Sequence, residues 1–258
     1  MPEQPHAHPA FPEPEPSVML WRYMDVGKFE WLVEHGRLFM PTAGQLADPL
    51  EGTAPEGELR WWQRAAAMAE SDEKRRIVEH NRAFLPRMAQ AFRSNCYVSC
   101  WHMNTRENGL MWSCYTTQPQ SVAIRTTYEA LRANLPFYVA VGTVRYMDYP
   151  SARLPTMNMF EYVMHKDSYY AFECEVRAVA FRPPVDELGR ADFLANHFES
   201  KNFPGFLVFA PIVDLAKLIQ GVMLHPEASP AFGAKITELC LSKGLAGPEP
   251  RGNRPPVS

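Results

Sequence analysis

The sequence predicts a single α+β domain built on a mixed, largely antiparallel sheet, with a helical insertion. Two observations predict it. Short β-branched and aromatic runs are interspersed with helical stripes, and several of these runs follow one another with no helix long enough for a parallel crossover. Residues 58–93 depart from this: Ala, Arg, Glu and Met dominate there, and the pattern is helical. No internal repeat and no linker splits the core. At 258 residues, 46% of them hydrophobic, the chain can bury one sizeable core.

The elements follow in order. Residues 1–17, "MPEQPHAHPAFPEPEPS", lack the basic start and apolar run of a signal peptide. They predict a disordered or polyproline tail whose removal leaves folding unchanged. The domain then runs over 18–247. "SVMLWRY" is a strand, and Asp25 caps a short helix with the stripe Phe29, Leu32 and Val33 and the stop Gly36. "RLFM" is a strand ended by Pro41, "TAGQ" a capping box, "LADPLEG" a turn-rich loop. Two helices fill 58–93, the second disturbed by Pro86. "NCYVSCWHM" is a strand. Asn104 with Glu107 marks the start of a helix, "ENGLMWSCY", with Leu110, Met111 and Cys114 on one side. "SVAIRTTY" is a strand, "EALRANL" a helix and "FYVAVGTVRYMDY" a long strand. A helix around "MNMFEYVMHKDSYY" leads into the strand "YYAFECEVRAVAF". "VDELGRADFLANHFESKNFPG" is an excursion, "FLVFA" a strand, "VDLAKL" a capped turn and "IQGVMLHP" a strand. Ser229 and Pro230 open a last helix that turns Phe232, Ile236, Leu239 and Cys240 inward. Residues 248–258 form a second disordered tail.

Composition removes some function classes. A net charge of −3 and a pI of about 6.3 give no general pull toward nucleic acid or an anionic membrane. No apolar run approaches the roughly 20 residues of a membrane helix. Five cysteines, an odd number with no export signal, suit free thiols in a reducing cytoplasm.

Several stretches could carry chemistry. In "YYAFECEVRAVAF", Phe172, Cys174, Val176 and Ala178 point one way, and Glu173, Glu175, Arg177 and Val179 the other. That charged face either meets water as cross-strand ion pairs or lines a site. In a site, paired carboxylates stabilise a developing cation and the arginine binds an anion. Arg22, in "MLWRYMD", either holds phosphate or carboxylate in a bidentate fork or snorkels from the sheet edge. Asp48 and Glu51 suit a stiff turn. Metal ligation by them with Glu173 or Glu175 has no ligand spacing behind it, and no metal is expected. A nuclease of the Asp, Glu-x-Lys type would want a lysine where Arg177 stands. Cys96, Val98, Cys100 and His102 share a strand face and suit buried thiols better than zinc, for want of a second ligand pair. Trp112 and Tyr115 are core aromatics or rings that stack on a base or nicotinamide. Gly-x-Ser-x-Gly, Gly-x-Gly-x-x-Gly and Walker signatures do not occur.

Taken together, "LWRYMDVGKFEWLVEHGRLFMPTAGQLADPLEG", "YVSCWHMNTRENGLMWSCY", "SVAIRTTYEAL", "VGTVRYMDY", "HKDSYYAFECEVRAV" and "VDLAKLIQGVMLHP" resemble a bacterial family, the domain of unknown function 2971, over roughly Met19 to Leu245. The layout is also similar to ADP-ribosyltransferases, which implies a fold of that kind and NAD as substrate. On that resemblance Arg22 on the first strand anchors NAD with Tyr23 beside it. Thr126 or Thr127 frames the nicotinamide, although "RTT" departs from the usual Ser-Thr-Ser. Glu175 supports the oxocarbenium-like transition state, Glu173 is the first glutamate of the Glu-x-Glu pair, and Arg177 joins Arg22 on the pyrophosphate. An NAD-using transferase or glycohydrolase acting as a toxin or phage-defence effector, on an unknown macromolecular acceptor, is one expectation. The other is a non-catalytic module that binds a small anionic ligand such as a nucleotide, or a protein partner through "RWW" of the helical insertion. Geometry separates them: the enzyme requires Arg22 and Glu175 to share one cleft, with Tyr23, Trp101 or Trp112 near it.

Overall fold

The computed structural model describes residues 8–156, 158–183 and 208–250. The first strand, β1, spans Met19–Asp25, and α1 follows as Val26–His35. Gly36 ends α1 in the left-handed region (φ 60°), its N–H donating to the Leu32 carbonyl, while Phe29, Leu32 and Val33 are buried as the periodicity requires. Asp25 stands at the N-cap but caps nothing. Its carboxylate accepts from Thr117 N–H and from the Thr117 and Ser121 hydroxyls instead. β2 is Met40–Pro41, and Thr42 and Gln45 close the expected capping box. The insertion is a helical pair, α2 (Glu56–Ala67) and α3 (Asp72–Asn95), and α3 runs on through Pro86.

β3 (Cys96–Met103) leads to α4 (Gly109–Tyr115). The cap of α4 is Asn108, not Asn104, and α4 buries Met111 and Trp112 while Leu110 and Cys114 are exposed. β4 (Ser121–Thr127) and α5 (Tyr128–Ala133) agree with the pattern. The long strand expected next is two, β5 (Ala140–Thr143) and β6 (Arg145–Met147). The helix expected around 157–170 shrinks to α6 (Glu161–Met164), followed at once by β7 (His165–Asp167) and a 3-10 turn over Ser168–Glu173. β8 (Glu175–Phe181), β9 (Val208–Phe209), α7 (Leu215–Leu218), β10 (Gly221–Leu224) and α8 (Pro230–Ser242) complete the chain. The excursion expected over 185–205 lies outside the described residues.

Six strands form one sheet in the order β10-β4-β1-β3-β8-β5, antiparallel at every pairing. Two small pairs stand apart: β2 with β9, antiparallel, and β6 with β7, parallel. One face of the sheet carries the main core, with Leu20, Trp101, Ile124 and Val176 packed under α1, α5 and α8. The opposite face is divided. Trp21, Tyr23 and Ala123 pack on α4, while Val98 and Val179 pack on Phe92 of α3 and Met164 of α6. The charged residues lie between these two apolar patches. Among the described residues no helix is long and apolar enough to cross a membrane.

Both terminal segments depart from the expected tails. Residues 8–17 are folded against the sheet: Ala10 and Phe11 are buried, and the Pro12 carbonyl accepts from Thr143 N–H at 2.8 Å on the open edge of β5. At the other edge, Glu249 N–H donates to the Val222 carbonyl of β10 at 2.8 Å, and its carboxylate pairs with Arg125 at 2.7 Å. Proline-rich sequence here covers sheet edges, where its missing N–H groups cost nothing. Residues 1–7 and 251–258 lie outside the described residues.

Candidate functional site

The sheet is not closed between β1 and β3. β1 pairs with β4 along its whole length and β3 with β8 over seven residues, but β1 and β3 share only the register pairs Leu20↔Met103 and Trp21↔His102. Beyond Trp21 the two strands diverge around a cavity of about 200 Å³. Asn104 N–H donates to the Met19 carbonyl, so backbone alternation turns the N–H and C=O of Tyr23 toward this gap.

Because the cavity passes through the opening, it reaches side chains from both faces of the sheet. Arg22 and Trp101 come from the main-core face, and Trp21, Tyr23 and His102 from the other, joined by Tyr115, Glu173 and Glu175. Lys28 of α1 stands at the Arg22 end. Strand alternation alone sets Arg22 and Glu175 on opposite faces, since Trp21 pairs with His102 and His102 with Glu175. They share a cleft only because the sheet is open.

Arg22 donates to the Phe39 carbonyl at 2.9 Å, and its guanidinium lies 5.8 Å from the Trp101 ring centre. No carboxylate among the described residues pairs with it. Burial lowers it to about 10, so it stays charged at neutral pH. A half-buried cation with two uncharged neighbours is electrostatically unfinished, and an anion in the cavity would complete it.

The opposite end holds a buried ion cluster. The alternation of Glu175, Arg177 and Val179 is as expected, but this face does not meet water. Arg177 is 0% exposed. Its Nε donates to Glu175 at 2.7 Å, its Nη2 to Glu51 at 3.0 Å, and its Nη1 to Glu51 and to the Val163 carbonyl. Every direction of its fork is used within the protein and it does not line the cavity, so no donor of Arg177 is left over for the pyrophosphate expected on it. "LADPLEG" is therefore more than a turn, because it delivers Glu51 to this arginine. Lys166 Nζ lies 2.6 Å from Glu173, 3.7 Å from Glu175 and 3.8 Å from Glu51. Three carboxylates thus face two cations.

Glu173 reaches the cluster by a different route from the strand expected for it. It ends the 3-10 turn, and Cys174 then takes φ 41° and ψ 55°, the only positive φ outside glycine among the described residues. A side chain in that region costs about 1–2 kcal/mol. The reversal brings Glu173 and Glu175 together. Its own carbonyl accepts from His102 Nδ1 at 2.6 Å, which leaves Nε2 of His102 to accept from Asn104.

The two carboxylates are electrostatically distinct. Burial and the neighbouring Glu175 push Glu173 up to about 7, against the pull of Lys166. Burial would raise Glu175 as well, but Arg177 and Lys166 outweigh it and hold Glu175 below its ordinary value. One carboxylate is ionised and its neighbour carries a proton over part of the physiological range. The linkage has a definite sign. Unfolded Glu173 loses its proton near 4.5 and folded Glu173 near 7, so this group's contribution to stability falls as pH rises between those values. Glu173→Gln removes the titration and keeps the contact with Lys166. In thermal melts the variant should gain on the native protein from about pH 5 to about pH 7, with a constant gap above; a gap independent of pH would show Glu173 ionised throughout.

The other expected residues divide. Tyr23 lines the cavity, held by Asn108 N–H, which donates to its hydroxyl at 2.7 Å, and by an edge contact with Trp112. Thr126 and Thr127 do not reach it. Thr126 is buried opposite Leu20, and the Thr127 hydroxyl caps α5. Cys96 is buried and Cys100 nearly so, with thiols pushed well up by burial, whereas Cys114 and Cys174 are exposed. Among the described residues no three His, Cys, Asp or Glu side chains are grouped to hold a metal ion. In "RWW", Trp62 is buried and donates to Glu58 at 2.8 Å, Arg153 stacks on Trp61 at 3.6 Å, and Arg60 alone of the three is exposed, paired with Glu56. Of the residues gathered here, Lys166 is not singled out by the sequence; Tyr115 is weighed there as a stacking ring, and His102 only beside the strand thiols. The one signal for Lys166 was a lysine directly after the apolar run "FEYVMH". No protein-family model, no curated protein and no solved structure matches this chain.

Proposed function

We propose that the chain binds a nicotinamide nucleotide in the cavity between β1 and β3 and acts on its N-glycosidic bond, as an NAD glycohydrolase or ADP-ribosyltransferase. The observation that carries this reading is that one cavity joins Arg22, a cation without a carboxylate partner among the described residues, to Glu175, a buried carboxylate held ionised. Breaking the bond between nicotinamide and ribose develops positive charge on the ribose ring. A carboxylate fixed beside that ring stabilises the transition state more than the ground state and needs no reorganisation as the charge appears. Arg22 would hold the anionic part of the nucleotide, and the backbone of Tyr23 facing the gap offers a donor and an acceptor to a planar amide. Depletion of NAD or modification of an acceptor would suit a toxin or phage-defence effector.

A second reading has its own support. Arg177 and Lys166 neutralise much of the carboxylate charge, as suits a binding module that holds a nucleotide without chemistry. NAD turnover by purified protein, with and without host lysate, separates the two. Glu175→Gln should reduce turnover by about 100-fold or more, the usual loss when a fixed electrostatic stabiliser is removed. Arg22→Met should lose turnover while its melting temperature holds or rises, because a partly buried charge with no carboxylate partner among the described residues is removed. Native-rate turnover by Glu175→Gln would sink the role given to Glu175, and no turnover by the native protein would sink the enzyme reading. An NAD-induced rise in melting temperature without turnover would favour the module, and neither effect would discard both.

A further inference from the structure

The cavity has charge of opposite sign at its two ends and is small. Arg22 and Lys28 mark one end, and Glu173 and Glu175, from a cluster with more carboxylates than cations, mark the other. Trp21, Tyr23 and Tyr115 give the acidic end flat walls. The volume, about 200 Å³, is below the roughly 300–1,000 Å³ of pockets that enclose drug-sized ligands. A whole dinucleotide does not fit inside, and nothing at the acidic end suits a second phosphate.

We propose that the cavity selects a small zwitterion, with an anionic group on Arg22 and Lys28 and a flat cationic ring, together with the sugar bonded to it, held toward Glu173 and Glu175. Resting on the nucleotide reading above, this makes the recognised unit the oxidised nicotinamide mononucleotide half, with the adenosine half outside the cavity. Two consequences follow from the chemistry. The mononucleotide binds about as well as the dinucleotide, because the adenosine contributes little. The reduced mononucleotide, whose ring is neutral, loses its attraction to the carboxylates and binds more weakly.

The test is calorimetric titration of the intact protein with nicotinamide mononucleotide, its reduced form, NAD, AMP and ADP-ribose. The oxidised mononucleotide should bind within about tenfold of NAD, and the reduced form at least about tenfold more weakly, which is roughly the effect of one charge contact. AMP and ADP-ribose should bind weakest. Lys28→Glu, an exposed substitution that leaves the fold alone, should weaken the mononucleotide several-fold and flatten its salt dependence. Equal binding of oxidised and reduced forms, AMP or ADP-ribose matching the mononucleotide, or no binding of the mononucleotide, would overturn the proposal. The two readings fail separately: mononucleotide binding without NAD turnover removes only the chemistry, and turnover without mononucleotide binding removes only the selectivity.

Discussion

Arg177→Met should cost about 3–5 kcal/mol of stability, the scale seen when one member of a buried ionic group is removed, or leave no folded protein at all. The side chain is 0% exposed and satisfies Glu51, Glu175 and the Val163 carbonyl together. Without it three buried carboxylates face Lys166 alone, and the carbonyl is left with no donor from this group. Methionine fills much of the volume, so a void is not the main cost. Lysine should rescue poorly, because one ammonium cannot replace a fork bonded to two carboxylates and a carbonyl. Urea titration measures the loss directly. The double variant Glu51→Gln, Arg177→Met should recover part of it, since one uncompensated charge goes with the arginine. The deficit should also narrow as pH falls and the stranded carboxylates protonate. A loss below about 1 kcal/mol would mean that water screens the cluster and that it is not the interior ion network described here.

That network shows what was legible in the sequence and what was not. Alternation correctly set Glu175 and Arg177 on one face of a strand, because a strand's period of two needs no tertiary information. It could not say whether the face was wet. That depends on Glu51, 126 residues away along the chain from Arg177, and on Lys166, which the apolar run before it disguised as part of a helix. The path of Glu173 was hidden for another reason. Cys174 sits in a left-handed conformation that local sequence disfavours and that surrounding contacts impose. Arg22 was legible as an unusual residue inside a strand. Its access to Glu175 was not, because it depends on a ladder that stops after two pairs. The strands β1, β3, β4 and β10 and the first and last helices were legible because their signals are local: Gly36 as a stop, Ser229 and Pro230 as a start. "RTT" misled because Thr127 was needed at a helix cap, a common use of threonine after a strand.

Residues 8–17 invert the expectation drawn from the composition of the first seventeen, and deletion of residues 1–17 should be severely destabilising. Low hydrophobicity and many prolines argue for disorder, but those averages hide Ala10 and Phe11, both buried beside Phe160 and Val163. Phe11 meets the rings of His8 and Phe160 edge-on, at 5.5 and 5.2 Å. The Pro12 carbonyl accepts both the N–H and the hydroxyl of Thr143, and Glu13 pairs with Arg132 at 2.7 Å. Phe11→Ala alone should cost about 3–5 kcal/mol by loss of burial and creation of a void. Removing residues 1–17 should cost at least as much and also bare the β5 edge, so that the truncated protein aggregates more readily. Gly142 offers an internal check. A Cβ there would lie 2.7 Å from the Phe11 Cα, a backbone atom that cannot swing aside. Gly142→Ala should therefore destabilise the intact chain and cost much less once residues 1–17 are gone, because its clash partner has gone with them. A truncated protein that melts at the native temperature, with Gly142→Ala equally costly in both backgrounds, would show that the arm does not bear on the sheet. The expected result would make this arm the substitute for a seventh strand, with proline spacing it along an edge that it covers but cannot extend.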